Sequence, residues 1–510
     1  MTFSNTPSSA FDAPGLFIGG KLEPGAQGTY EVRNPARPEE VVLRVPSASM
    51  EQLDAAVAAA RRAHPAWAAL TLAERFEALS KAAEAVSAAV AERKLAELLT
   101  RENGKVLWEA QIDTGTFGGM VGAFAPLVER ALASRAVGGI SFAQAGPGPG
   151  SVVERVPYGV VAALVPFNWP VSVLGNKLLP ALLAGNAVVA KPPPSCPGAV
   201  LEVVAVLGEA LPEGLVNVVS GPGPELGEAL VAHPGVDMVT FTGGVATGRA
   251  VMATAARATK PVVLELGGND PAIVAPDVEI DAGLASKIAE GAFVTSGQVC
   301  MAIKRLYVPE ARLRDMVDAL VERLSVEVVG DGLAEEVTMG PVHTARARER
   351  VETMISEALS AGAGVHRAGR VREDDADRGG YFVVPAVVEA PPDSASIVAE
   401  EQFAPALPVL GYRDLDEAVS RANDTEYGLC ASVWSNDQEL ASAVARRLEA
   451  GTVFVNSHGI GAMDHLVPFG GWKASGLGEE LGEEGMAAFT RVRVVRGLAS
   501  ASEPGAKEVV

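Results

Sequence analysis

At 510 residues with 48% apolar content, the chain exceeds what one hydrophobic core serves, so two or three domains are expected without covalent staples. Its 42 Lys plus Arg stand against 63 Asp plus Glu, and a net charge of −21 repels phosphate backbones and anionic membrane surfaces, which argues against nucleic acid and membrane as partners. Three scattered cysteines, Cys196, Cys300 and Cys430, form neither a disulfide framework nor a metal-ligand pair, so no metal is expected and a reducing cytoplasm fits.

Residues 1–14, rich in Ser and Pro, read as a loose tail, and so do 501–510. The N-terminus has no basic start and no apolar core of the kind a secretory signal needs. From 50 to 100 apolar residues recur at helical spacing, and the break at His64-Pro65 predicts a pair of amphipathic helices. The apolar stretch 156–174 is interrupted by Pro157, Pro166, Asn168 and Pro170, which makes it buried soluble structure and not a membrane span.

Between 159 and 268 short β-branched runs alternate with helical ones, at 160–165, 187–190, 215–219, 238–241 and 262–264. That alternation predicts a parallel sheet, with a binding crevice at the carboxyl ends of its strands. After Cys300 a second alternation begins. A strand at 305–308 precedes a long helix to about 329, and further strands are expected at 382–388, 406–411, 431–434 and 452–455. The fold class is therefore α/β, with two such domains. No fixed-period repeat or run of heptads is present.

Four segments carry chemistry. In Gly297-Gln298-Val299-Cys300 a cysteine follows a glycine at a helix-to-strand junction, which suits an accessible thiol; the alternative is a buried small hydrophobe, the reading taken for Cys196 and Cys430. In Val262-Val263-Leu264-Glu265-Leu266-Gly267-Gly268 a carboxylate ends a buried strand, where desolvation raises its pKa and makes it a competent base near neutral pH. An ordinary strand-end carboxylate bonded to backbone is the plainer alternative. In Val165-Pro166-Phe167-Asn168-Trp169-Pro170 two prolines brace an amide that either donates to an oxyanion or simply closes a turn. Lys191, at a strand end, and the glycines of Phe241-Thr242-Gly243-Gly244-Val245-Ala246-Thr247-Gly248 suit a ribose and a pyrophosphate, although the spacing is not G-x-G-x-x-G.

Together with Glu400-Glu401-Gln402-Phe403-Ala404-Pro405, the run from Asn423 to Gly428, and Pro468-Phe469-Gly470-Gly471-Trp472-Lys473-Ala474-Ser475-Gly476, these segments resemble the aldehyde dehydrogenase superfamily from about Phe17 to Val495. The resemblance implies that Cys300 attacks an aldehyde and that Asn168, with the Cys300 backbone N–H, holds the oxyanion. The thiohemiacetal then loses hydride to NAD or NADP, and Glu265 activates the water that hydrolyses the resulting thioester. Lys177 is implied as a supporting group near the catalytic set. Val165, Pro166, Lys191, Gly227, Phe241, Gly243, Gly244, Gly248, Leu266, Gly267, Glu401 and Phe403 are implied as the cofactor side.

Trp169, Val173, Asn176, Val299, Met301 and His458 are implied as the substrate tunnel, though His458 equally suits a hydrogen-bonded loop histidine. Glu265 favours hydrolysis over transfer to coenzyme A. Asn176, where semialdehyde-specific members often carry Arg, favours an uncharged aliphatic or aromatic aldehyde over a semialdehyde. Three positions depart from the family pattern. Pro194 stands where an acid often binds the ribose hydroxyls, which leaves NADP open. Gly478-Glu479-Glu480 replaces Gly-Arg-Glu, and Gly244 replaces a common Ser.

Implied boundaries are a cofactor-binding domain over 15–132 and 154–266, a catalytic domain over 267–472, and an oligomerisation arm with the C-terminal segment over 133–153 and 473–500. A homodimer or homotetramer is expected. Two other functions compete: a thiol hydrolase using Cys300 without redox chemistry, and a non-catalytic protein on the same scaffold, against which Cys300, Glu265 and Asn168 all argue.

Overall fold

The computed structural model describes residues 15–141 and 146–498, so the two expected tails lie outside the described residues. The helical segment begins with Met50–Ala68, capped by Ser49 and Gln52, and continues as Leu72–Glu92 and Leu95–Asn103. The expected break at His64-Pro65 falls instead at residues 69–71. Pro65 sits in the last turn of the first helix, and a second capping box, Thr71 with Glu74, starts the next one.

Five strands of the first sheet run parallel in the spatial order Val216–Val218, Ala187–Lys191, Val160–Leu164, Met238–Thr242, Val262–Glu265. The chain starts in the middle, at Val160–Leu164, winds outwards to one side, then returns to wind outwards on the other. The strand order therefore reverses between Val160–Leu164 and Met238–Thr242, the point at which ligands enter doubly wound sheets. Register sets Leu164 opposite both Lys191 and Phe241, and Thr242 opposite Glu265, so the carboxyl ends form one rim. All five residues of Val160–Leu164 and of Ala187–Lys191 are buried, as expected for strands covered by helices on both faces.

The second sheet has seven strands, six of them parallel: Ala386–Glu389, Ala406–Tyr412, Ile303–Pro309, Asp270–Val274, Cys430–Trp434 and Thr452–Val455. The strand expected at 382–388 begins only at Ala386, because Pro385 has no N–H to give a ladder. The helix expected to reach 329 ends at Leu324, and Val328–Val329 pairs with Arg370–Val371. Residues 266–269 alone carry the chain from Glu265, at the rim of the first sheet, to Asp270, at the start of the second. Buried Arg305 braces this crossing, with Nε donating to the Asn269 carbonyl at 2.9 Å and NH2 to that of Ala422 at 2.8 Å. A third, antiparallel sheet joins Thr490–Leu498, Gly146–Pro157 and Arg135–Ser141. No helix of the described residues is long and apolar enough to cross a membrane.

Candidate active site

The rim of the first sheet opens into a cavity of about 770 Å³, within the range of small-molecule and cofactor sites. Its walls include Val165, Pro166, Lys191, Gly227, Phe241, Gly243, Gly244, Leu266, Gly267, Glu401 and Phe403, and Asn168 and Cys300 line the same cavity. Eleven of the twelve expected cofactor residues are thus on one surface. Lys191 is buried there, its Nζ donating to the carbonyl of its neighbour Pro192 at 3.3 Å, and desolvation lowers its pKa to about 8. Glu401 accepts from the Gly268 N–H at 3.1 Å, and burial lifts its carboxyl to about 7. The twelfth residue, Gly248, is absent from the wall. It lies inside the helix Val245–Ala256, and a Cβ there would meet Leu266 Cδ2 at 2.3 Å, so its role is close packing behind the wall.

Cys300 is half-buried, whereas Cys196 and Cys430 are buried. It follows a run of three left-handed residues, Thr295, Ser296 and Gly297, at φ 53°, 56° and 71°. For the two that are not glycine this conformation costs about 1–2 kcal/mol each, so the surroundings must hold it. They do so with directed hydrogen bonds. Buried Glu109 accepts from the Thr295 N–H at 2.7 Å, Ser296 Oγ donates to the Gly340 carbonyl at 2.8 Å, and Lys304 Nζ donates to the Gly297 carbonyl at 2.5 Å. Gln298 Oε1 accepts from the His343 N–H at 2.8 Å. Asn168 Nδ2 donates to the Gln298 carbonyl at 3.0 Å, which turns its amide towards the cysteine loop and leaves its second N–H uncommitted to that bond. Burial, with the carboxyls of Glu401, Asp270 and Glu265, pushes the Cys300 thiol up to about 12, while Lys304 acts in the opposite sense.

Glu265 ends its strand buried, and neither carboxyl oxygen has a hydrogen-bond partner among the described residues. Burial, reinforced by the carboxylate of Glu480, raises its pKa well above the ordinary range. The plainer expectation of a backbone-bonded carboxylate is therefore not what the structure holds. Lys177, expected with the catalytic group, is tied into a closed buried pair: its Nζ contacts Glu480 and donates to Thr240 Oγ1 at 3.1 Å. It lies off the cavity wall, and its charge reaches Glu265 only as a field. A buried ammonium needs a counter-ion. Glu480, which keeps the glutamate of the Gly-Arg-Glu pattern, supplies it, and the departure falls on its neighbour Glu479.

None of the six tunnel residues borders the 770 Å³ cavity. Trp169, Val299 and Met301 belong to the large hydrophobic core under the first sheet, and Val173, Cys300, Val294, Phe454, Ile460 and Met463 are partly buried against that same core. Trp169 is fixed by its Nε1 donating to Thr295 Oγ1 at 3.1 Å and by Lys105 Nζ 4.0 Å from its ring centroid. Asn176 Oδ1 is buried without a hydrogen-bond partner among the described residues. The His458 ring, 5.4 Å from that of Phe454, has Nε2 at 3.6 Å from Asp270 Oδ2, in ion-pair range and just beyond hydrogen-bond distance.

Comparison with known proteins agrees with this geometry. The profile of the aldehyde dehydrogenase family matches residues 23–495. The chain belongs to that family. It is 37% identical to the geranial dehydrogenase of Castellaniella defragrans over 489 residues, covering 94% of this chain and 98% of the relative. Among solved structures it is similar to betaine aldehyde dehydrogenase from Staphylococcus aureus in complex with NAD+, with 31% identity, a TM-score of 0.87, and coverage of 95% and 94% of the two chains. It is also similar to an NADP-dependent enzyme of E. coli, with 32% identity, a TM-score of 0.87, and coverage of 96% and 99%. The chain is therefore an NAD(P)-dependent aldehyde dehydrogenase with the two-domain fold expected.

Sequence reasoning missed several groups that this aldehyde dehydrogenase brings to the site. Phe167 lies on the cavity wall with its ring stacked on His343 at 4.3 Å, and Arg350 reaches the wall from the helix Ala345–Ser360. Phe167 was adjacent to a quoted residue and could have been read from the motif. Arg350 and Lys304 carried no local signal. Gly248→Ala tests the packing behind the wall. The new methyl displaces Leu266 into the cavity, so KM for NAD is expected to rise about tenfold with little change in melting temperature, since helix propensity gains offset overpacking. Steady-state kinetics and a thermal melt check it.

Proposed function

We propose that this aldehyde dehydrogenase oxidises an uncharged, largely apolar aldehyde to its acid through a Cys300 thioester that Glu265 helps to hydrolyse. One juxtaposition carries the reading: a half-buried thiol and the Asn168 amide lining the same cavity, with a buried, unpartnered carboxyl near enough for its field to act on that thiol. The Cys300 S–H gives its proton to solvent as the sulfur forms a bond to the aldehyde carbon, and the oxyanion that develops takes the free Asn168 N–H and the Cys300 backbone N–H. NAD(P)+, when bound in the cavity, accepts the hydride that leaves this carbon. Water then adds to the thioester, its proton passes to Glu265, and the C–S bond breaks to return the thiol and the acid.

The substrate class rests on the apolar character of the residues that share the core on which Cys300 packs. Trp169, Val173, Val294, Phe454, Ile460 and Met463 offer apolar surface, and Asn176 offers a neutral amide where a substrate carboxylate would need a cation. The relative that oxidises geranial, a branched apolar aldehyde, points the same way. For the cofactor we propose that both forms serve. Pro194 lines the cavity three positions after Lys191, so that position holds no carboxylate to repel a 2′-phosphate; the wall's Glu228 is exposed.

An aldehyde panel crossed with NAD and NADP, followed by reduced-nicotinamide absorbance, tests both parts. Branched apolar and aromatic aldehydes should exceed a carboxylate-bearing semialdehyde by at least about 100-fold in kcat/KM, the penalty for an unpaired buried charge. A semialdehyde preference would overturn the substrate class, and strict use of one nicotinamide would overturn the cofactor reading. We also propose self-association through the strand Thr490–Leu498, an unpaired sheet edge with Val492 and Val494 each 57% exposed, in the cytoplasm.

A further inference from the structure

Lys304 stands on the strand Ile303–Pro309 with 1% exposure, directly beneath the cysteine loop. Its neighbour Arg305 spends its guanidinium on backbone carbonyls and on Tyr307, an architectural task. Lys304 is placed differently. Its Nζ donates to the carbonyl of Gly297, the last of the three left-handed residues before Cys300, and lies 5.1 Å from the ring centroid of Phe403 on the cavity wall. Its own carbonyl accepts from Gln402 Nε2 at 3.0 Å, which ties the strand to the segment carrying Glu401 and Phe403.

Charge sets it apart further. The buried ammoniums of Lys105 and Lys177 are each closed against a carboxylate, Asp113 and Glu480. Lys304, like Lys191 on the cavity wall, has no ion pair within 4.0 Å among the described residues, so its charge is not cancelled locally, and of the two it is Lys304 that bonds the cysteine loop. The groups facing it are Glu401, Asp270 and Cys300, and Asp270 in turn faces His458. Facing Cys300 are Glu401, Asp270, Glu265 and Lys304, three acids and a single cation. A thiol among three acids stays protonated unless a fixed cation offsets them.

We propose that Lys304 is a positioning residue for the nucleophile: it locks the left-handed turn that presents Cys300 and supplies the fixed positive charge against which the thiolate forms. The proposal rests on Cys300 being the nucleophile, and the two are separable. Turnover that survives Cys300→Ala overturns the nucleophile reading, whereas the reactivity of the Cys300 thiol tests Lys304 whatever the turnover.

The test is the rate of Cys300 alkylation by iodoacetamide in the full chain, read by peptide mass over a pH series, beside a thermal melt. Lys304→Met is expected to slow alkylation about tenfold at any pH below the thiol's midpoint, equivalent to a rise of about one pKa unit, and to lower kcat more than it raises KM. Lys304→Arg should restore most of the rate. A folded Lys304→Met protein that alkylates at the wild-type rate overturns the proposal. If that variant does not melt cooperatively, Lys304→Gln, neutral but polar, carries the same comparison; collapse of both assigns the lysine to folding alone and overturns the proposal too.

Discussion

Cys300→Ala is expected to lower dehydrogenase turnover by at least about 10⁴-fold, because the variant has no atom with which to form either covalent intermediate. The loss should be catalytic and not structural. Cys300 is only half-buried, the left-handed turn before it is held by Glu109, Ser296, Lys304 and Asn168, and none of those bonds uses the sulfur. Melting temperature should therefore stay within about 4 °C of the wild type, and the 770 Å³ cavity should still bind NAD. Reduced-nicotinamide formation, a thermal melt and a nicotinamide-binding titration measure the three quantities. Unchanged turnover would remove Cys300 from the mechanism. The same variant addresses the thiol-hydrolase alternative: wild-type protein that releases acid from aldehyde-derived acyl donors as fast without nicotinamide as with it would favour that reading.

Much of this site was legible because its parts follow local rules. A buried parallel strand announces itself by a β-branched run, and what ends such a strand lands on the binding rim. Lys191, Phe241 and Glu265 were therefore placed correctly relative to one another by strand ends alone. What stayed hidden depends on partners distant in sequence. Lys177 is separated from Glu480 by 303 positions, and the C-terminal segment is brought to it by tertiary packing that includes a short antiparallel strand, Gly476–Leu477, against Val262–Glu265. Lys304 was unreadable for the same reason, since nothing in Ile303-Lys304-Arg305 says which cation faces the cysteine loop. Element ends failed where a cap or a proline overruled periodicity, as at Thr71 and Pro385. Gly248, expected on the cofactor side, lies off the cavity wall, where a side chain would meet Leu266.

Glu265→Gln should stop the cycle halfway. The amide has the size and shape of the carboxyl but cannot take a proton from water, so thioester formation proceeds and hydrolysis does not. One equivalent of reduced nicotinamide should appear as a burst, and mass spectrometry after quenching should find the acyl group on the peptide holding Cys300. Rapid multiple turnover without an adduct would show that another base suffices. The pH dependence gives an independent check. Burial and the Glu480 carboxylate hold Glu265 protonated well above the ordinary carboxylate range, so wild-type hydrolysis should climb as pH rises through that elevated value, and in the variant the climb should vanish. Stability runs the other way. A carboxyl whose folded pKa is raised stabilises the fold fully below its unfolded pKa and loses that contribution as pH rises through the folded one. Glutamine stays neutral throughout, so Glu265→Gln should melt like the wild type in acid and at a higher temperature than the wild type in alkali. A base stationed in a dry pocket costs the fold stability in the pH range where it works, and this divergence of the two melting curves towards alkali would show that cost directly.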